Sequence, residues 1–246
     1  MPIKIIAIAN QKGGTAKTTT TAALAVLLSR AGTPVHCVDL DPQASLSRAF
    51  GRTDDTDGFY NALTSRAGLP VQSVTDNLTL TPSTIELGRA EIELLNEPGR
   101  EFFLRLALEK TPLPDNAVVL LDCPPSLGVL SVNALATAGG MIAVVQPGGF
   151  ELYALIHLNM TLHAIRERVN SDLSFLGIVV TNAHQRRTIT KQMGMEVSLF
   201  GPLLGTVRSD SRILYATTRG KIHRLASSKA LDDYADVLKK LSGVLP

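Results

Sequence analysis

The stretch "IKIIAIANQKGGTAKTTTTAALAVLLSRAG", residues 3–32, decides the fold. A short apolar run, Lys4–Ala9, gives way to a glycine turn and then to a helix-forming run over residues 18–30. A turn of this kind between a buried strand and a helix N-terminus aims backbone N–H groups at one point. The helix dipole adds partial positive charge there, and a lysine adds a full one. In "QKGGTAKTT", Gly13 and Gly14 free the backbone, Thr15 and Ala16 complete the turn, and Lys17 can reach the terminal phosphates of a nucleotide. Thr18 can offer its hydroxyl to magnesium. Against the strict G-x-x-x-x-G-K-[ST] pattern, Gln11 replaces the first glycine and Ala16 the second. What Ala16 costs depends on its backbone. At φ > 0 the strain is on the order of 1 kcal/mol; in a helical conformation only a methyl group is added near the phosphates.

Outward from this loop, short apolar runs alternate with helix-like segments. The spacing predicts strands at Lys4–Ala9, Val35–Asp39, 78–82, Val118–Asp122, Gly140–Val145, 176–181 and 203–207. Most are rich in Val, Ile and Leu without strict alternation, as in strands buried on both faces of a parallel sheet. Helices are predicted over 18–30, 86–95, 100–110, 126–137, 152–169, 189–199 and 231–242, with surface loops at 54–58 and 111–116. Strand–helix–strand alternation along residues 1–246 argues a single-domain α/β fold, a doubly wound, mostly parallel sheet with helices on both faces.

Composition agrees: 45% apolar and 19% charged residues among 246 suit a soluble globular chain. Cys37 and Cys123 lie in apolar strand-like runs without metal-type spacing and read as buried small hydrophobes. The run at 5–9 is too short for a signal peptide, and no apolar run approaches the roughly 18 residues of a membrane span. A cytoplasmic protein is the expectation. The net charge of +2 is uneven: from Arg186 onward there are eleven Lys/Arg against five Asp/Glu, leaving thirteen basic and seventeen acidic residues before it. A basic final quarter hints at a polyanion-binding face.

Two further motifs accompany the loop. "VHCVDLDPQ" ends a buried strand in Asp39 with Asp41 just beyond, and "VVLLDCPPS" ends another in Asp122. Ligands of open α/β sheets sit outside the carboxyl ends of the strands, so three carboxylates delivered there can orient magnesium waters and an attacking water. With Lys12 as a second loop lysine, these segments make the chain resemble the ParA partition ATPases of the deviant Walker-A superfamily of P-loop NTPases, especially the short Soj-like members. The resemblance rests on "ANQKGGTAKTTTTAALAVLLSRAG" as the deviant Walker A motif, "VDLDPQASLS" as the A′ motif and "LLDCPPSLGVLSVNAL" as Walker B. "GIVVTN" is similar to the family's nucleotide-base segment.

That resemblance implies roles. Lys12 matches the signature lysine that reaches the partner's nucleotide across a dimer interface. Lys17 matches the lysine on the β/γ-phosphates, Thr18 the magnesium ligand, and Thr19 a contact of the α-phosphate. Asp41 matches the acid that positions the hydrolytic water, Asp39 its companion near magnesium, and Asp122 the Walker B acid acting through a metal-bound water. Asn182 matches the residue reading the adenine edge. Asp39 as a structural strand-end acid and Asn182 as a turn cap are the alternatives. The implied activity is magnesium-dependent hydrolysis of ATP to ADP, slow without a ParB-like centromere-binding partner. The implied cycle is an ATP-dependent homodimer on non-specific DNA, nucleoid-associated in the cytoplasm. Candidate DNA contacts are Arg187, Lys191, Arg208, Arg212, Arg219, Lys221 and Arg224. Rival readings are a nucleotide-gated DNA-binding scaffold with impaired hydrolysis and a MinD-like, cargo-positioning ATPase. Against the membrane version, "LASSKALDDYADVLKKLSGVLP" is a poor anchor.

Overall fold

Residues 4–53, 57–147, 151–183 and 197–245 are described in the computed structural model. Eight strands form one sheet: β1 (Lys4–Ala9), β2 (Val35–Asp39), β3 (Gln72–Thr75), β4 (Leu78–Thr81), β5 (Val118–Asp122), β6 (Gly140–Val145), β7 (Ser174–Ala183) and β8 (Leu203–Arg208). Their order is β3-β4-β2-β5-β1-β6-β7-β8. Every pairing is parallel except the β3–β4 edge hairpin. β2, β5 and β6 are buried along their whole length, as their unbroken apolar runs require.

Among the described residues the α-helices are α1 (Lys17–Arg30), α2 (Ser45–Ala49), α3 (Gly58–Ser65), α4 (Leu87–Glu93), α5 (Phe103–Glu109), α6 (Val129–Thr137), α7 (Glu151–Arg168), α8 (Ser211–Thr218) and α9 (Lys229–Lys240). They split between the two faces. Phe59, Leu87, Leu104, Leu130 and Leu158 pack α3 to α7 on one side. Leu24, Leu46, Ile213 and Val237 pack α1, α2, α8 and α9 on the other. Each helix layer removes one face of the sheet from water, and together they supply the hydrophobic term that holds the fold.

Three elements depart from the sequence expectation. β3 was not expected, because "QSVT" is polar; it alternates between half-buried and exposed, as an edge strand does. α2 and α3 were not expected either. Both start from left-handed residues, Ala44 and Asp57, and neither has a side-chain N-cap to announce it. Gly58, placed in a loop, instead opens α3. The helix expected over 189–199 lies outside the described residues except at its end, and so do Arg187 and Lys191.

Candidate nucleotide site

β1 and β5 lie side by side at the centre, with Ile8 opposite Asp122, so the glycine loop leaves the sheet beside that carboxylate. β5 also pairs with β2, which sets Asp39 opposite Asp122. Sheet register alone therefore gathers the loop and two acids at one edge.

The loop is anchored on the β6–β7 side. Asn10 Nδ2 donates to the Val144 carbonyl at 2.6 Å and its Oδ1 accepts from Lys12 N–H at 3.2 Å. Gln146 Nε2 donates to the Gly14 carbonyl at 2.7 Å, and Thr181 Oγ1 to the Thr15 carbonyl at 2.8 Å. Gly14 turns at φ 72°, and Ala16 turns at φ 66°, ψ 30° as the N-cap of α1. This settles the alternative left open by the sequence: Ala16 occupies the left-handed region, where a Cβ is strained by about 1 kcal/mol. Ala16 offers no side-chain cap, so the first N–H groups of α1 are left to a ligand.

Lys17 is buried, and its Nζ donates to the Lys12 carbonyl at 3.1 Å. Burial lowers its pKa, while Asp122, Cys123 and Asp41 pull it back up. Asp122 is fully buried; Oδ2 accepts from Thr18 Oγ1 at 2.8 Å and Oδ1 from Thr21 Oγ1 at 3.1 Å. Burial, then the charge of Asp39, pushes the Asp122 carboxyl well above the usual carboxylate range, against the pull of both threonines and Lys17. A magnesium ion would relieve that strain. Thr18 spends its proton on Asp122 and keeps oxygen lone pairs at the cavity wall for a cation. Among the described residues there is no cluster of three His, Cys, Asp or Glu to hold a metal unaided, so phosphate and water would supply its other ligands.

The loop borders a cavity of about 730 Å³ lined by Gly13 to Thr19, Asp41, Arg48, Asn182, Arg208 and Tyr234 among others. Asp41 holds the Gln43 N–H at 2.9 Å. Lys12 lies exposed on the loop. Asn182 sits at φ 50° at the β7 end, its Nδ2 on Gln146 Oε1 at 2.9 Å, on the cavity rim. Neither Asp39 nor Asp122 lines the cavity; both are fully buried behind its wall. Cys123 is buried and its thiol is pushed up by burial, which fits its reading as a small hydrophobe.

Several partners escaped the sequence reading. Thr21 was hidden inside a run of four threonines, while Gln146 and Thr181 act from other strands, visible only once the sheet is assembled. Tyr234 of α9 hydrogen-bonds Thr20 of α1 at 2.9 Å and closes the cavity wall. Among the basic candidates, Arg208 donates through N, Nε and Nη2 to Asp233 at 2.9, 2.7 and 2.6 Å. Arg212, Arg219, Lys221 and Arg224 are exposed on α8 and the turn after it. The apolar face of α9, Leu231, Tyr234, Val237 and Leu241, is buried in the core. No described helix is long and apolar enough to cross a membrane.

A family model described as an AAA domain matches residues 3–175. An uncharacterised protein of Mycobacterium tuberculosis is 39% identical over 213 residues, covering 82% of this chain and 66% of its own length. The chain thus spans just under two thirds of that relative. The chromosome partitioning protein ParA of Myxococcus xanthus is 38% identical over 202 residues, covering 79% of this chain and 70% of its own. Among solved structures, cobyrinic acid a,c-diamide synthase of Mycobacterium smegmatis with bound ADP and magnesium superimposes with a TM-score of 0.82 at 31% identity. That match covers 98% of this chain and 96% of the synthase.

Proposed function

Because the chain belongs to the ParA family of partition ATPases, we propose that it hydrolyses ATP with magnesium and uses the cycle to control its hold on DNA. In this reading the ATP-bound form is a homodimer that binds DNA without sequence preference. A ParB-like partner then stimulates hydrolysis and releases it. The observation carrying the proposal is the Thr18–Asp122 hydrogen bond at 2.8 Å beside Lys17. It supports this reading because a hydroxyl, a buried acid and a lysine meet at one loop, the set that metal and phosphate would need.

The chain's own groups divide the work. The N–H groups opening α1 and the Lys17 ammonium take the β/γ-phosphates, and Thr19 takes the α-phosphate. Thr18 would hold magnesium, which would supply positive charge against that developing on those phosphates. Asp41 accepts a hydrogen bond from the attacking water and orients it in line with the γ-phosphorus. Lys12 reaches the nucleotide of the facing chain. Asn182 reads the adenine edge. The ADP and magnesium bound by the Mycobacterium smegmatis synthase support this cofactor pair.

The test is steady-state phosphate release with and without DNA and a ParB-like protein. Asp41→Ala is expected to lower kcat by about 100-fold or more while ATP binding changes little, since water orientation acts only in the transition state. Loss of ATP affinity with kcat retained would overturn the assignment. One observation favours a second reading, a nucleotide-gated scaffold with slow turnover: the strained Ala16. Hydrolysis that stays at background with DNA and partner present, beside intact ATP-dependent DNA binding, would select it.

A further inference from the structure

Asp39 has no exposed surface, and protein donors already engage both of its oxygens. Oδ2 accepts from Ser47 N–H at 2.8 Å and from Ser47 Oγ at 2.7 Å. Oδ1 accepts from Asp41 N–H at 3.3 Å. Ser47 is the third residue of α2, and its N–H is one that an N-cap side chain ordinarily satisfies. The N-cap of α2 is Ala44, which has no side chain able to do so. A carboxylate from the end of β2 supplies the missing cap instead. The network continues: Ser47 Oγ accepts from Ser83 N–H at 2.9 Å, which ties the exit of β4 to the same point.

The two buried acids therefore differ. The partner of Asp122 at 2.8 Å is Thr18, a hydroxyl on the cavity wall. The partners of Asp39 belong to the segment Asp41–Ser47 and hold its carboxylate against that segment and the start of α2. From this geometry we propose that Asp39 is a positioning residue: it fixes the segment carrying Asp41 and does not contact the metal. Within the proposed hydrolysis it acts through Asp41, so the inference rests partly on that reading.

The test uses Ser47→Ala and Asp39→Asn in the full chain. Amide hydrogen exchange is measured without nucleotide, and binding of a fluorescent ATP analogue is titrated with magnesium. Ser47→Ala touches no nucleotide atom, yet it removes the Oγ bonds to Asp39 and from Ser83 N–H, so exchange at Ser83, Asp41 and residue 47 is expected to quicken by about tenfold as Asp39 loses its hold. Where wild type hydrolyses ATP, kcat of Ser47→Ala falls with KM for ATP unchanged, a split that general destabilisation does not produce. Asp39→Asn keeps the wild-type magnesium dependence of analogue binding. A rise of about tenfold or more in the magnesium needed by Asp39→Asn overturns the proposal, because lost ligation appears as lost metal affinity. Unchanged exchange in Ser47→Ala overturns it as well. If wild type fails to hydrolyse ATP, the ATPase reading falls, while exchange and the magnesium titration still decide the role of Asp39. Should Asp39→Asn not fold, the exchange of Ser47→Ala decides alone.

Discussion

Ala16 is strained by its backbone. At φ 66° it pays for a conformation that glycine adopts freely. Replacing it with glycine removes roughly 1–2 kcal/mol of native-state strain but returns about 0.4–1 kcal/mol of unfolded-chain entropy. Ala16→Gly is therefore expected to stabilise the protein by about 0.5–1 kcal/mol, readable as a Tm rise of about 2 °C. A drop in Tm would mean that the methyl group packs usefully against the cavity. If phosphate release accelerates as well, the methyl group is also what slows turnover. At this scale the sequence was most informative. Lys17, Thr18, Asp41 and Asp122 announce themselves through their neighbours in sequence. The hydroxyls of Thr21 and Ser47 do not, because their meaning comes from carboxylates 101 and 8 residues away.

Among the elements, the β2–β4 pair carries a titratable group. His36 is buried between Thr79 and Thr81, its Nδ1 and Nε2 bonded to their hydroxyls at 2.9 and 3.0 Å. Burial lowers its pKa to about 4. The folded state thus binds the proton more weakly than the unfolded chain does. The associated stability is complete above about pH 6.5 and is lost as pH falls from there to about 4, some 3 kcal/mol in all. Chemical denaturation of wild type and His36→Gln across that window should show their difference changing by about this amount. A pH-independent difference would show that His36 titrates alike in both states. The same pair explains what the sequence conceals. β1, β2, β5 and β6 match expectation to the residue because apolar runs buried on both faces have sharp ends. β3, short and polar, earns its place only by pairing with β4.

Over the whole molecule, charge placement decides which cations can serve a polyanion. Arg208 is committed to Asp233, whereas Arg212, Arg219, Lys221 and Arg224 are exposed. If this surface holds DNA phosphates, replacing those four by alanine should weaken binding to all sequences alike. The slope of log affinity against log salt should fall by about 0.9 for each contact removed. Competition binding at several salt concentrations measures both, and a slope unchanged in the fourfold variant moves DNA to another face. Arg208→Ala is expected to lower thermal stability instead, because Asp233, largely buried, loses the guanidinium and keeps only the backbone N–H of residue 208.

The Tyr234–Thr20 hydrogen bond spans 214 positions of the chain. On a ribosome, the glycine loop and α1 emerge well before α9. The pocket wall contributed by Tyr234 and Arg208 is missing until β8 and α9 have emerged, whatever the earlier strands have already paired. A chain extended only as far as α8 would therefore have a cavity open on the side that Tyr234 covers.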